Sequence, residues 1–446
     1  MLNIISQYLE LFEEPVIDDS MTEFEYVEYV TRDADVNKGG QRIVETQDLD
    51  QYLLPHKSYL EVRGRLQTNA NADFGNGDQI TLVNNGWSLF QSAQYQINNQ
   101  TVEDINIYLP QASTIMNLVM FSDDYTKSAS TNMMWFKDTA TGTAESREFA
   151  PLAALNDRPL RNATYNSGFA KRRAITTGDK EICLFLPLSS IFGFCRDVQT
   201  VFRGAKHTLI LNRQVANNYI IRNAAAADGK FNITALSWWV PKITPSVIVQ
   251  SDIESKLAAG YVKQLYFEQM RIYRSTPYTA AQISSTWRIT TNQGSELPRH
   301  IFIAFQDSTR ENNQQQNNMI FDHLDLIRIQ VRINSKQYPD RELETNFNVG
   351  HRNYARAYMM FQDAMNKYQD TDTGSQLSAE DFATLYTIIH IDVSKHSERL
   401  KDSPADIELK WTLGDAPANP YYVYALITSD RYLSLNVVNG KMNVIV

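Results

Sequence analysis

Along much of this 446-residue chain, apolar and polar residues trade places one at a time. Residues 58–66 (SYLEVRGRL) set Leu60, Val62 and Leu66 against Tyr59, Glu61, Arg63 and Arg65, which predicts a strand with one face on a core and one in water. The same period of two recurs at 22–30 (TEFEYVEYV), and at Ala93, Tyr95 and Ile97 against Gln94, Gln96 and Asn98. It returns at Ile327, Ile329, Val331 and Ile333 against Arg328, Gln330, Arg332 and Asn334, and at Ile407, Leu409, Trp411 and Leu413. Further strands are expected at 79–83, 261–274, 283–291, 300–306 and 421–429, with turns at Asn98-Asn99 and Asn439-Gly440. Helical spacing is rarer. It covers Pro110–Phe121 (Ile115, Leu118, Val119), Arg352–Lys367, and a short acidic arm at Leu2–Phe12 with Ile5, Leu9 and Phe12 on one face. Ser251–Leu257 reads as a short helix capped by Asp252, and Ser378 with Asp381 marks another helix start.

The middle of the chain, Glu181–Val249, divides this pattern in two. One apolar run, Ile182–Leu186, is stopped by Pro187; a second covers Thr208–Leu211, and a third ends on Trp238 and Trp239. Pro241 and Pro245 follow, and since neither can donate to a ladder, sheet pairing is expected to end there. The Trp pair is read as core at a junction between domains. Between Ser122 and Asp179 the alternation fades into a long polar insertion holding Trp135 and Phe136, which an isolated chain would leave poorly covered.

The two halves echo one another. Ile97-Asn98 is followed by Asp104, and Ile333-Asn334 by Asp340, each Asp seven residues past its Ile. Each hairpin precedes a helix with Met-Phe-x-Asp at its expected end, Met120, Phe121, Asp123 and Met360, Phe361, Asp363. LPLS at Leu186–Ser189 then matches IDVS at Ile391–Ser394, and Ala235-Leu236 matches Ala425-Leu426. Four matches in one order predict two tandem copies of one β-rich unit, of about eight strands each.

Composition narrows the function. Apolar residues at 43% and aromatics at 11% suit large cores, and the length suits two domains of about 200 residues. A net charge of −9 argues against a broad nucleic-acid surface; the one tight basic cluster, Lys171-Arg172-Arg173, is read as a solvated loop. Cys183 and Cys195 are read as buried free thiols rather than a disulfide framework. The first residues lack a basic region and cleavage site of the secretory kind, and no apolar run reaches a membrane-spanning length. Asp33, Asp35 and Asn37 imitate a calcium loop, but Lys38 stands where glycine is needed and Val44 where the closing glutamate belongs; Asp370, Asp372 and Gly374 imitate it no better. His390, Asp392 and His396 lack the spacing of a zinc site, and Asp123-Asp124 reads as solvated charge. The expectation is therefore no catalytic, cofactor or metal residues. The competing class is a carbohydrate-binding or carbohydrate-active tandem β-sandwich, with Trp135, Trp238 and Trp239 as possible sugar platforms.

Three stretches carry a family resemblance: ITLVNNGWSLFQSAQYQINNQTVED, LPLSSIFGFCRDVQTVFRGAKHTLILNR and ITALSWWVPKITPS. With FDHLDLIRIQVRINSKQYPDRELETNF and IIHIDVSKHSERLKDSPADIELKWTL they resemble double jelly-roll major capsid proteins, those of Polinton-like and adintovirus-like DNA viruses and, more distantly, virophages. The resemblance runs from about Leu54 to the C-terminus. It implies an all-β chain of two tandem eight-stranded jelly rolls with a few short helices in loops. It further implies a homotrimeric, pseudo-hexagonal capsomer of an icosahedral double-stranded DNA virus, made as a soluble protein and carried in the virion. Partners would be further copies of itself, then penton and minor capsid proteins, without sequence-specific nucleic acid binding or membrane insertion. The expected organisation is an arm at 1–20, a first roll at 21–245, a linker at 246–258 and a second roll at 259–446.

Overall fold

The computed structural model describes residues 19–445 apart from 32, 34, 48–49, 146–164, 179, 261, 291–297, 335, 349–352, 369–374, 396–405 and 439–440. The N-terminal helix expected at Leu2–Phe12 lies outside them. Strands of the first half are β1 (Met21–Val30), β2 (Gln41–Glu45), β3 (Tyr52–Leu53), β4 (Tyr59–Thr68), β5 (Ile80–Leu82), β6 (Phe90–Ile97), β7 (Gln100–Ile105), β8 (Ile182–Pro187), β9 (His207–Arg213), β10 (Ile220–Arg222) and β11 (Gly229–Pro245). Those of the second are β12 (Lys263–Arg274), β13 (Ser284–Thr290), β14 (Pro298–Asp307), β15 (Leu326–Ile333), β16 (Lys336–Glu344), β17 (Ile388–Asp392), β18 (Asp406–Leu413), β19 (Tyr421–Val438) and β20 (Lys441–Ile445). Helices α1 (Leu109–Met120), α2 (Asp123–Lys127), α3 (Ser167–Thr176), α4 (Gly193–Asp197) and α5 (Ala216–Tyr219) precede α6 (Val247–Ala258), which joins the halves; α7 (Ala355–Tyr368) and α8 (Ala379–Thr384) follow.

Each half is a pair of antiparallel four-stranded sheets. The first pairs them as β1-β11-β4-β8 and β2-β9-β6-β7, with β3 added to β11 and β5-β10 apart; the second as β12-β19-β14-β17 and β13-β18-β15-β16, with β20 added to β19. Counting only the eight principal strands of each half, both sheets read first-eighth-third-sixth and second-seventh-fourth-fifth. That order is the jelly roll, twice. The repeat is therefore structural. Ile97 and Ile333 end matching strands and turn back in two-residue hairpins, pairing Ile97 with Gln100 and Ile333 with Lys336. Asn98, Asn99 and Asn334 all take positive φ (50°, 63° and 46°), as such tight turns require.

The finer matches divide. Leu186 and Ile391 close equivalent rungs, Tyr29-Trp238-Leu60-Leu186 and Arg271-Ile427-Ile301-Ile391. The Ala-Leu match falls on equivalent strands but on opposite faces. Leu236 shares a face with Trp238, which meets Tyr95 of the opposing sheet, whereas Leu426 stands opposite Phe302, one position from the inward Ile303 row. Met-Phe-x-Asp ends α1 but lies in the middle of α7.

Two expectations about the midpoint fail. β11 runs straight through both prolines, with Pro241 opposite Tyr26 and Pro245 opposite Met21. Proline lacks only the donor: the Pro241 carbonyl still accepts from the Leu54 N–H at 2.9 Å. The helix expected from Ser251 starts at Val247, so Asp252 lies within it rather than capping it.

Candidate assembly interface

The outer face of the β1-β11-β4-β8 sheet is aromatic and open. From β1 come Phe24, Tyr26 and Val30, exposed at 43%, 40% and 57%. Tyr26 meets Tyr59 of β4 at 5.3 Å between ring centroids, and Tyr59 meets Phe185 of β8 at 5.3 Å and Trp239 of β11 at 6.4 Å. Lys57 sits over the Phe24 ring. Beneath this stripe Glu61 accepts from Trp239 Nε1 at 2.6 Å, from Cys183 Sγ at 3.3 Å and from Arg63. Burial pushes its carboxyl up, but those three hydrogen bonds prevail and hold it below the ordinary value. The stripe arises from the sequence alternation itself: residues outward in β4 and β8 stand on the face away from the core.

The equivalent face of the second roll is covered. β14 is buried on nearly every residue and β17 on four of five, where β8 alternates buried and exposed. Part of the cover is α7: the Met360 carbonyl receives His390 Nδ1 at 2.8 Å, and Tyr368 packs on His300. The rest comes from the first roll. Tyr108, at the start of α1, packs on Tyr424 and under Arg274, while Phe194 of α4 packs on Phe267, on the other face of the edge strand β12. Glu103 of β7 is buried and accepts from Gly193 N (3.1 Å), Phe194 N (3.0 Å) and Met270 N (3.4 Å), so one carboxylate ties α4 to β12. Burial raises it to about 7 despite those donors and nearby Arg196. Asp104 reaches Arg271 at 3.4 Å, and Asp197 accepts from Glu268 N at 2.9 Å. Backbones approach so closely at Gly193 that a Cβ there would stand 1.8 Å from the Glu268 carbonyl oxygen.

The insertion after Ser122 belongs to this seam, contrary to the expectation of bare apolar side chains. Trp135 is fully buried and donates to Gln376 of the second half at 3.0 Å; Phe136 is half-buried. Gln376 in turn donates to the Asn117 carbonyl at 2.7 Å, and Lys137 bonds both the Gln376 carbonyl and Asp381 at 2.5 Å. The basic cluster is no solvated loop either. It lies on α3, where Arg172 is wholly buried and paired with buried Asp138 at 2.6 Å; Asn317 and Tyr386 of the second half complete the network.

The remaining flagged residues scatter. Cys195 is buried, and burial pushes its thiol well up, but Cys183 is exposed, because it sits on the outward row of β8. Trp238 is core within the first roll, not at the junction, and Trp239 belongs to the outer stripe. Asp35 caps its own turn at Asn37 N, and Asn37 exchanges hydrogen bonds with the Ile233 backbone. Asp123 and Asp124 open α2, with Asp123 held by Lys127 at 2.5 Å. His390 faces His300 at 3.2 Å inside the covered sheet, while His396, Asp370, Asp372 and Gly374 lie outside the described residues. Among the described residues no three His, Cys, Asp or Glu side chains gather as metal ligands would, and no helix is long and apolar enough to cross a membrane. A cleft of about 700 Å³ lies between residues 139–144 and α8; Glu380 and Asp381 line it from one side only, and Asp381 is already paired.

A family model described as a double jelly roll-like domain matches residues 137–433. The fold also matches solved structures. A chain of the Sputnik virophage is 12% identical, with a TM-score of 0.60 over 100% of this chain and 93% of that one. The Faustovirus major capsid protein is 7% identical, with a TM-score of 0.56 over 96% and 92%. The mavirus major capsid protein is 12% identical, with a TM-score of 0.54 over 99% and 93%. No curated protein matches the chain in sequence.

Proposed function

The chain belongs to the double jelly roll-like family, and from that premise we propose that it is a major capsid protein, structural rather than enzymatic. In this reading an arm at 1–20, a first roll at 21–245, a linker at 246–258 and a second roll at 259–446 form one subunit. Three subunits form a pseudo-hexagonal capsomer, and capsomers tile an icosahedral double-stranded DNA virus shell of the Polinton-like or adintovirus-like kind. Its partners are its own copies, neighbouring capsomers, and penton and minor capsid proteins, and its place is the virion.

One observation carries the proposal. Two equivalent sheets meet different fates in a single chain, one covered by α7 of its own half together with the other roll and one left with an open aromatic face. Apolar surface of that kind marks an interface. Cyclic association of three tandem pairs gives six similar units and a near-hexagonal outline. Light scattering on the purified chain at micromolar concentration and neutral pH is expected to return the mass of three chains. A monomer would overturn the capsomer and favour the carbohydrate-binding reading, in which Trp239 and Tyr59 would serve as a stacking platform.

A further inference from the structure

We infer that one end of the first roll's sandwich holds a site for a small tetrahedral oxyanion, of the phosphate or sulfate kind, built from Arg42, Arg213 and Tyr219. The inference goes beyond the capsid reading and does not depend on it. Arg42 of β2 and Arg213 of β9 lie on the inward face of the β2-β9-β6-β7 sheet, in the same rows as buried Val44, Leu209 and Leu211. Arg42 stands opposite Leu211, two residues before Arg213 on the neighbouring strand, so the two side chains enter the sandwich as diagonal neighbours. Arg42 is buried and Arg213 half-buried, which leaves an approach from solvent on the Arg213 side.

Every hydrogen bond of these two groups goes to a neutral oxygen. Arg42 donates from Nε to the Val36 carbonyl at 3.2 Å, from Nη1 to the Gln41 carbonyl at 2.8 Å, and from Nη2 to the Lys38 carbonyl. Arg213 donates from Nη1 to the Leu89 carbonyl (2.7 Å), and from Nη2 to the Phe231 carbonyl (2.8 Å) and the Tyr219 hydroxyl (3.2 Å). Among the described residues no carboxylate pairs with either, whereas buried Arg172 and Arg310 are paired with Asp138 and Asp322. Two neighbouring cations taken out of water without a counter-ion are costly. Burial, and after it the Arg42 charge, pulls the Arg213 guanidinium below its ordinary value, against the influence of Tyr219.

Donors remain for a ligand. A terminal guanidinium nitrogen carries two hydrogens, so Arg42 keeps one on each of Nη1 and Nη2, and Arg213 one on Nη1. The buried Tyr219 hydroxyl accepts from Arg213 and from the Phe231 N–H, which leaves its own hydrogen for a further acceptor. Such forks suit the several oxygens of a tetrahedral anion. The second roll shows that the fold does not require these charges. Ile97 pairs with His207 as Ile333 pairs with Ile407, and carrying that register along the strands sets Leu413 in the place of Arg213 and Ser285 in the place of Arg42. Leu413 is buried, and the same end of that roll is closed without a cation.

Equilibrium dialysis of the full chain against radiolabelled inorganic phosphate, at constant ionic strength in sodium chloride, tests the site. The expected result is saturable uptake approaching a single phosphate per chain. It should be weaker by about tenfold or more in Arg42→Met and Arg213→Met, and unchanged in Arg328→Met, which removes an exposed cation from the second roll. Tyr219→Phe keeps the ring and removes only the hydroxyl, so it probes the same place where an arginine variant fails to fold; it should weaken uptake several-fold. Absence of saturable uptake by the wild-type chain would overturn the site. So would uptake that none of these three site substitutions weakens, the mark of an adventitious ion only. Competition separates the sources of the ligand: displacement by glycerol phosphate assigns a phosphate ester, and displacement by sulfate without glycerol phosphate assigns the free ion.

Discussion

Val30, Ser237, Glu61 and Phe185 form one rung across the first roll's outer face; Ile272, Leu426, Phe302 and His390 form the same rung in the second. In the first, both end residues are more than a third exposed; in the second, all four are buried. The backbone places them alike, so the difference lies in what each half was given to rest against. A sheet buried on both faces loses its alternation and reads as a continuous apolar run, as in HIFIAF, whereas a sheet with one open face keeps it. The comparison teaches that fold equivalence leaves surface chemistry free. One roll keeps its outer face for internal use and the other for display.

The sharpest way to break the comparison is a pair of matched truncations in the dissociated chain. Phe302→Ala is expected to cost about 3–5 kcal/mol, as a large ring removed from a filled interior does, and Phe185→Ala less than about 1 kcal/mol. Guanidinium midpoints read both, and equal losses would mean that the two faces are equally covered.

Next in size is Glu103, whose seam has no counterpart at β1 within the chain. Its carboxyl is raised from 4.5 to about 7, so between those values the folded chain holds a proton that the unfolded chain releases. The contribution of this group to stability is present below pH 4.5, falls as pH rises through that window, and amounts to about 3 kcal/mol in all. Glu103→Gln removes the ionisation, so the stability of the wild type relative to the variant should decline from pH 5 to pH 8. Parallel pH profiles would contradict this assignment. The smallest effect is expected at Asp104, whose bond to Arg271 is partly exposed: Asp104→Asn should cost about 0.2–1 kcal/mol, and a larger loss in thermal denaturation would make that pair a main support of the seam.

Most strands were legible, because a half-exposed strand writes its two faces into adjacent residues. β4, β6, β15 and β18 lie where the alternation put them. The seam was not legible. Trp135 and Gln376 are 241 residues apart, Asp138 and Asn317 179 apart, and contacts at such separations leave no period in the sequence. Arg172 looked like surface charge because its partner Asp138 sits in a different segment, and burial of a cation is visible only once its counter-ion is placed. Cys183 was misread for a simpler reason. Its neighbours Ile182 and Leu184 are apolar, but in a strand sequence neighbours face the other way.

The long eighth strand of each roll also sets the order in which the molecule can be completed. β11 lies between β1 and β4, and the hydrogen bond from Thr22 to Thr244 spans 222 residues; in the second roll, Ser434 reaches Gln264 across 170. On the ribosome, the first sheet stays split into β1 and a β4-β8 remnant until the chain has passed Pro245, and the second stays split until β19 emerges. Loop closure over such distances must precede the contacts that reward it, so folding is slow and its intermediates carry bare strand edges. Nascent chains released before β11 would carry one gap shaped for one strand, between β1 and β4, and another molecule's β11 would fit it.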